Sequence, residues 1–187
     1  MGTIREDFRC LLVENFLSVD ICRIFSNYAI MRHRVSKNNE SDPVTNIHTS
    51  YYGDKFTESI LLYSKDKMEE LTNKKLFPTY SYWRMYTYGS YLKEHKDRNA
   101  CEISVTIHVD GDKHDWPIIV GNKEYFTKPG DAIIYLGKED SHSRKKFEGD
   151  FQTQIFLHYV DQEGPYKDFV YDKRIDVGVS NADYGVK

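Results

Sequence analysis

The sequence predicts an α+β protein that is mainly β, in which N-terminal helices support a two-sheet jelly roll. Helical spacing of apolar residues occurs only before Pro78, about eight short strand-like segments follow it, and turn residues separate those segments. Strands in this number and order are typical of a jelly roll. Because 187 residues suffice for one hydrophobic core, we expect a single domain over 1–187, with its core at about 10–160 and a tail at 161–187.

The helical part begins at Ser18, whose hydroxyl can cap the first helix. The apolar face of this helix follows spacings of three and four and consists of Ile21, Cys22, Phe25, Tyr28 and Ala29. The polar stretch from Met31 to Tyr52 has no sustained period, so we expect a long surface loop there. A second helical region is expected around Thr57 to Leu71, and Pro78 ends the helical part.

The strands follow from residues that alternate between two faces. In Thr79 to Tyr88, one face carries four tyrosines and Arg84, and the other face carries Trp83 and Met85. Later strands are expected at Ile103 to Val109, in a hairpin around Gly121-Asn122, at Ala132 to Leu136, and in a last hairpin formed by Ser141 to Phe147 and Phe151 to Val160.

Composition excludes several classes of protein. A net charge of -3 gives no general attraction to nucleic acid, so no nucleic-acid partner is expected. The three cysteines Cys10, Cys22 and Cys101 lie far apart, which argues against a disulfide framework and a zinc ribbon. No signal peptide or membrane-spanning apolar run is visible, so we expect a cytoplasmic protein without a membrane partner. Nothing in the sequence indicates a particular oligomeric state.

Three residues carry the chemistry that the sequence indicates: His95, Asp97 and His142. Two imidazoles and one carboxylate on a single ion form the facial triad of non-haem iron(II) oxygenases, which leaves open positions for cosubstrate and dioxygen. His95 and Asp97 point the same way on a strand, and a jelly roll can bring His142 close to them. The bare pattern leaves two alternatives, a non-catalytic jelly-roll binding module with a structural metal and a zinc hydrolase with the same ligands.

Further motifs surround these three residues in a fixed order. They are Tyr86 to Asp97, with its tyrosine, glycine and His-x-Asp string, then Trp116-Pro117, Pro129 to Tyr135, Ser141 to Arg144 and Gln154 to Tyr159. In this order the motifs resemble those of the 2-oxoglutarate and iron(II)-dependent dioxygenases, specifically the prolyl 4-hydroxylase-like branch. The resemblance spans roughly Glu14 to Val160 and implies a double-stranded β-helix, the cupin-like form of the jelly roll.

The resemblance also implies an activity. His95, Asp97 and His142 would bind Fe(II), and Tyr86 would donate a hydrogen bond to a carboxylate of the cosubstrate 2-oxoglutarate. The enzyme would be an oxidoreductase that uses O2, with ascorbate (vitamin C) as reductant, to hydroxylate a carbon and release succinate and CO2. The favoured substrate is a prolyl residue in a peptide or protein, and a small molecule is the alternative.

The sequence departs from this family at the site for the far carboxylate of 2-oxoglutarate. The family has a Lys or Arg about ten residues after the distal histidine, where this sequence has Gln152. A buried dianion needs a cation, so another basic residue is expected to replace it. Arg144 shares strand parity with His142 and is preferred, and Arg84, which shares parity with Tyr86, is the second candidate.

Four other side chains are expected to line the site: Arg98, Gln152, Gln154 and His158. Arg98 directly follows a metal ligand, and the other three share one face of the last strand. The expected loop from Met31 to Tyr52 is a candidate lid over the substrate. The nucleic-acid demethylase branch of the superfamily is disfavoured, because its paired arginines after the distal histidine are not in this sequence.

Overall fold

The computed structural model describes residues 9–35, 45 and 48–179, and in this part of the chain ten strands form two antiparallel sheets. The larger sheet has the order β1-β8-β5-β10-β3-β2, and the smaller sheet has the order β4-β9-β6-β7. The strands are β1 (Cys10–Val13), β2 (His48–Tyr52), β3 (Leu76–Thr87), β4 (Leu92–His95), β5 (Ile103–Gly111), β6 (Ile118–Val120), β7 (Lys123–Tyr125), β8 (Ala132–Tyr135), β9 (His142–Arg144) and β10 (Phe151–Asp161).

The two faces of the larger sheet serve different purposes. On its outer face, apolar side chains such as Trp83, Met85 and Ile155 pack with the helices into the main core. Its inner face, toward the smaller sheet, is polar and aromatic, because β3 alternates Tyr80, Tyr82, Arg84 and Tyr86 with the core residues. The alternation predicted for this strand is therefore confirmed. It places a cavity between the two sheets, beside a small apolar cluster of Ile118, Val120, Ile133 and Tyr135.

Three helices cover the outer face of the larger sheet: α1 (Val19–Val35), α2 (Lys55–Tyr63) and α3 (Lys65–Thr72). The predicted start of α1 is confirmed, since the backbone amide of Ile21 donates to Ser18 Oγ over 3.4 Å. Its predicted face is confirmed too, with Cys22, Phe25 and Ala29 buried. The second helical region is divided at Ser64. In the described part of the chain, no helix combines the length and apolarity that crossing a membrane requires.

The predicted loop from Met31 to Tyr52 is wrong at both of its ends. Helix α1 continues to Val35, and the chain re-enters the larger sheet as β2. Strand β2 has no obvious alternating pattern, and it forms because β3 supplies the hydrogen-bond partners for its backbone. Arg32 stacks over the Tyr51 ring and so ties α1 to β2. The rest of the predicted loop and its role as a lid lie outside the described residues.

The predicted last hairpin is also wrong, because its two strands belong to different sheets. β9 pairs with β4 and β6, whereas β10 pairs with β3 and β5. Between them, Phe147 is fully buried against Tyr86 and Trp116, and its backbone exchanges hydrogen bonds with Gly89 and Ser90. This anchor makes the chain cross from one sheet to the other.

The segment after β10, predicted as a tail, packs against the larger sheet. It forms 3-10 turns within Lys167–Lys173, interrupted by non-helical backbone at Val170, Tyr171 and Asp172. It then inserts Arg174 against the buried carboxylate of Glu58, with the Arg174 Nη2 to Glu58 Oε2 distance at 3.0 Å. Arg174 also donates to the carbonyl of Thr79 in β3. Residues 161–179 are therefore part of the fold, and 180–187 lie outside the described residues.

Candidate metal centre

The side chains of His95, Asp97 and His142 meet at one end of the smaller sheet. His95 closes β4, His142 opens β9, and the two residues face each other in the register of these antiparallel strands. Asp97 is held beside them by its backbone amide, which donates to the carbonyl of Gly137 over 2.8 Å. Asp97 Oδ1 lies 3.6 Å from His95 Nε2 and 3.5 Å from His142 Nε2, so the three donor atoms converge.

Backbone carbonyls orient both imidazole rings. His95 Nδ1 lies 2.8 Å from the carbonyl oxygen of Lys93, and His142 Nδ1 lies 3.1 Å from that of Asp140. A carbonyl oxygen only accepts, so each Nδ1 carries the proton and donates it. In each neutral ring the lone pair is therefore on Nε2, which faces Asp97, as metal-ligating histidines require.

The carboxylate of Asp97 is oriented by Ser104, whose hydroxyl donates to Asp97 Oδ2 over 3.0 Å. This bond occupies one carboxylate oxygen and leaves Oδ1 for the two histidines. Burial raises the pKa of Asp97, but the neighbouring imidazoles of His142 and His95 outweigh it and hold this pKa well below its usual range. Asp97 is therefore anionic at neutral pH.

His158 extends this arrangement by one residue. Its Nδ1 lies 3.0 Å from Ser104 Oγ. Because the single hydroxyl proton of Ser104 goes to Asp97, His158 Nδ1 carries a proton and donates to Ser104. Burial lowers the pKa of His158 to about 4, so the ring is neutral and its Nε2 is a hydrogen-bond acceptor.

The residues present fit a divalent cation. Ligands about 2.1 Å from one ion and at right angles to each other are about 3 Å apart, close to the two distances between Asp97 and the histidines. Two nitrogens and one carboxylate oxygen form the donor set of a three-ligand site with open positions. The open side of the set faces the cavity between the sheets, so a ligand can reach it.

The cavity has a volume of about 210 Å³ and contains the three donor side chains. Two predicted cosubstrate residues, Tyr86 and Arg84, and the predicted site residue His158 lie in its wall. The other wall residues are Tyr80, Tyr82, Leu92, Ile118, Tyr135 and Phe156. Of the predicted residues, Arg144, Arg98, Gln152 and Gln154 are not wall residues of this cavity as it stands.

Arg144 is a buried cation next to the cavity wall. Its side chain is 3% exposed, and its Nη1 donates to the carbonyl of Trp116 over 2.7 Å. Burial lowers the pKa of Arg144 to about 10, and the groups that oppose this shift are the phenols of Tyr86 and Tyr135, both in the cavity wall. Within the described residues, no carboxylate pairs with Arg144, and its Nε has no hydrogen-bond partner.

Arg84 differs from Arg144 in its contacts. It lies in the cavity wall and donates to the hydroxyls of Tyr86 and Tyr82, at 3.1 and 3.4 Å. Burial opposes the charge of Arg84, but the two phenols outweigh it and raise the pKa of this guanidinium above its usual value. Arg84 therefore braces the tyrosines of β3.

The two glutamines of β10 lie on the same face as Phe156 and His158 of the cavity wall, and they pair with Tyr86 and Arg84 of β3. Gln152 Nε2 is 3.1 Å from His108 Nε2, and Gln154 Oε1 accepts from Thr106. Gln152 Oε1 and Gln154 Nε2 are buried and have no partner in the described structure. Buried polar atoms are rarely left this way, so these groups favour a polar ligand beside them.

Sequence reasoning missed the groups that orient the triad, Ser104 and Gly137. A Cβ on Gly137 would collide with Ser104 Oγ and Asp97 Oδ2, so only glycine fits there. The only sequence signal for Ser104 is its place on the polar side of an alternating strand, and Gly137 has none. Arg98, expected near the site, pairs with Asp172 and lies over the ring of Tyr80, a residue of the cavity wall.

Solved structures similar to this chain include a viral collagen prolyl hydroxylase from Paramecium bursaria Chlorella virus-1 in complex with 2-oxoglutarate. It is 13% identical, with a TM-score of 0.64 over 84% of this chain and 98% of that chain. A Pseudomonas putida prolyl-4-hydroxylase is 14% identical, with a TM-score of 0.63 over 81% and 92% of the two chains. A non-haem α-ketoglutarate-dependent epimerase from nogalamycin biosynthesis is 9% identical, with a TM-score of 0.68 over 81% and 77%.

No protein-family model and no curated protein matches the sequence. At identities of 9 to 14%, the likeness to these structures concerns the fold. It covers most of this chain and most of each of the three, and it confirms the predicted jelly roll with helical support. The chain therefore has the double-stranded β-helix fold of the 2-oxoglutarate and iron(II)-dependent oxygenases, prolyl hydroxylases among them.

Proposed function

We propose that the protein is a 2-oxoglutarate- and iron(II)-dependent dioxygenase that hydroxylates a carbon of its substrate. The observation that carries the proposal is the convergence of His95, Asp97 and His142 at an open cavity, with both Nε2 lone pairs free and directed to one point. A structural metal needs no open side, so the cavity favours catalysis over a binding module with a structural metal.

Arg144 favours an oxygenase over a zinc hydrolase with the same ligands. A guanidinium that is buried without an acidic partner is unfavourable unless a ligand supplies the anion. A zinc hydrolase needs only a water on the metal, whereas 2-oxoglutarate has a second carboxylate remote from the metal. In our proposal, Arg144 binds that carboxylate and replaces the Lys or Arg that the family has at the position of Gln152. Tyr86 donates a further hydrogen bond to the cosubstrate.

His95, Asp97 and His142 would hold an iron(II) ion, which would supply an oxidation in which 2-oxoglutarate, O2 and a substrate C–H give succinate, CO2 and C–OH. The residues of the chain arrange the reactants. Ser104 holds Asp97 in one orientation, and the carbonyls of Lys93 and Asp140 fix the imidazoles. Ascorbate serves as the reductant that keeps the iron divalent.

The favoured substrate is a prolyl residue in a peptide or protein. Support comes from the resemblance of the motifs and from the cavity wall, where the flat rings of Tyr80, Tyr82 and Phe156 suit an apolar ring such as that of proline. A cavity of about 210 Å³ also has to hold the cosubstrate, so one side chain enters it more easily than a whole large molecule.

The test measures succinate from purified protein with iron(II), ascorbate and 2-oxoglutarate, with and without a proline-containing peptide. We expect slow succinate formation alone and faster formation with an accepted peptide. Stimulation by a small molecule and by no peptide would correct the substrate and leave the reaction class intact. No succinate under any condition, together with tightly held zinc, would contradict the oxygenase proposal.

A further inference from the structure

Asp172, near the end of the described chain, holds the residue that directly follows metal ligand Asp97. Arg98 donates from Nη1 to Asp172 Oδ1 over 2.5 Å and from Nη2 to Oδ2 over 2.7 Å, the two-pronged geometry in which an arginine binds a carboxylate best. The hydroxyl of Tyr52 donates to the same carboxylate. Asp172 is therefore satisfied by two residues from elements distant in sequence.

The backbone that presents Asp172 is in an unusual conformation. Tyr171, Asp172 and Lys173 have φ of 52°, 55° and 62°, so three successive residues other than glycine are left-handed. Each such residue is unfavourable by about 1 kcal/mol or more, and strain of this kind persists only where surrounding contacts fix it. Here the fixing contacts are the Arg98 pair on one side and the buried pair of Arg174 with Glu58 on the other.

Arg98 connects this segment to the cavity wall. Its guanidinium lies over the ring of Tyr80, 4.5 Å from the ring centre, and the centre of the His158 ring is also 4.5 Å from that of Tyr80. Tyr80 and His158 both line the cavity that holds the metal ligands. The position of Arg98 is thus fixed by Asp172 outside and by Tyr80 inside.

We propose that Asp172 is a positioning residue of the metal site, which keeps the guanidinium of Arg98 away from the carboxylate of Asp97. This inference rests on the proposed metal-binding role of Asp97. Arg98 is the residue next to Asp97 and is half-exposed, so without Asp172 only the contact with the Tyr80 ring restrains it from turning to another carboxylate. A guanidinium on Asp97 competes directly with the divalent cation for the same oxygen atoms.

Metal affinity is expected to fall when Asp172 is replaced and to recover when Arg98 is replaced as well. Asp172→Ala releases Arg98, which then pairs with Asp97. This weakens metal binding by about tenfold, the size expected of one charge-assisted contact. Arg98→Gln in the same chain removes the competitor, so the double variant regains the affinity of the original protein. If Asp172 merely stabilised the fold, the double variant would bind metal no better than Asp172→Ala.

The experiment titrates Co²⁺ into metal-free full-length protein, in competition with a chromophoric chelator, and records thermal unfolding in parallel. The variants are Asp172→Ala, Arg98→Gln with Asp172→Ala, and the matched control Asp161→Asn, which breaks the pair with Lys74 at the end of β10. We expect weaker binding for the first variant alone. Equal affinity of Asp172→Ala and the original protein, or no recovery in the double variant, overturns the inference. Failure of the original protein to bind Co²⁺ would instead overturn the metal site itself, and the inference with it.

Discussion

His95 and His142 lie opposite each other across β4 and β9, with their ring centres 4.3 Å apart. The pairing of two short strands therefore brings together two candidate ligands that are far apart in sequence. Because side chains of a strand alternate between its faces, a shift of one residue in this register would turn one imidazole away from the other. The candidate metal site thus depends on the strand pairing of the smaller sheet.

Removal of one imidazole is expected to abolish tight metal binding. His142→Ala leaves two ligands, and we expect the affinity for Fe²⁺ or Co²⁺ to fall more than about 100-fold, beyond the usual effect of losing an outer-shell partner. Titration of metal-free protein measures this. His114→Ala is the control, since His114 is exposed and outside the cavity. Similar losses in both variants would contradict the assignment.

Gly137→Ala is expected to weaken metal binding by displacing Asp97. The added methyl group would collide with Ser104 Oγ and Asp97 Oδ2 and lie 2.8 Å from the carbonyl oxygen of Cys101. Overpacking of this kind costs about 1–3 kcal/mol, and here it falls on a metal ligand, so we expect metal affinity to drop by about tenfold or more. Gly121→Asn, in an open turn where asparagine tolerates the left-handed backbone, should bind metal normally.

Arg144→Ala is expected to weaken 2-oxoglutarate binding while metal binding survives. Losing one partner of a buried ion pair costs about 3–5 kcal/mol, so affinity for the cosubstrate should fall by at least about 100-fold. Calorimetry with Ni²⁺-loaded protein measures it, with exposed Lys145→Ala as control. If Arg84→Ala abolishes binding and Arg144→Ala does not, Arg84 is the cation for the far carboxylate.

The stability of the metal-free protein should depend on pH through His158. Burial lowers the folded-state pKa of His158 from its usual 6.5 to about 4, so the unfolded chain takes up the proton first as pH falls. The stabilisation is fully present above about pH 6.5 and is lost between pH 6.5 and 4, to the extent of about 3 kcal/mol. Urea unfolding across this range should show a shallower pH dependence for His158→Gln, and an unchanged slope would contradict the account.

The contact of Arg174 with Glu58 is expected to be the main anchor of the C-terminal segment. The two side chains are 6% and 2% exposed, and Arg174→Ala leaves a buried carboxylate unpaired, at about 3–5 kcal/mol of unfolding free energy. Lys75→Ala breaks the exposed pair with Glu69 and should cost no more than about 1 kcal/mol. Comparable losses in chemical denaturation would show that the segment is not anchored in this way.

The sequence predicted the parts of the fold that depend on local pattern. The face of α1, the two faces of β3 and the Gly121-Asn122 hairpin all follow from side-chain period or turn chemistry, and the structure confirms them. The assignment of β9 and β10 to different sheets could not be predicted, because it depends on the burial of Phe147 between the sheets. Pairing with β3 likewise forms β2 in a stretch without period.

The candidate site shows the same division. The triad was visible because a His-x-Asp string and a later histidine are a pattern of residue types. Ser104, Gly137 and Asp172 act through tertiary contacts with Asp97 or with its neighbour Arg98, and no local pattern marks such contacts. The surroundings of Arg144 and Arg84 also needed the structure, since both guanidinium groups are buried and only their hydrogen-bond partners distinguish them.

The most direct test of the central claim is an anaerobic calorimetric titration of 2-oxoglutarate into the protein with and without iron(II). If His95, Asp97 and His142 hold an iron that binds the cosubstrate, 2-oxoglutarate will bind tightly only to the iron-loaded protein. The same titration of His142→Ala should show weak or no binding. Equal affinity with and without iron, or no binding to the iron-loaded protein, would contradict the claim.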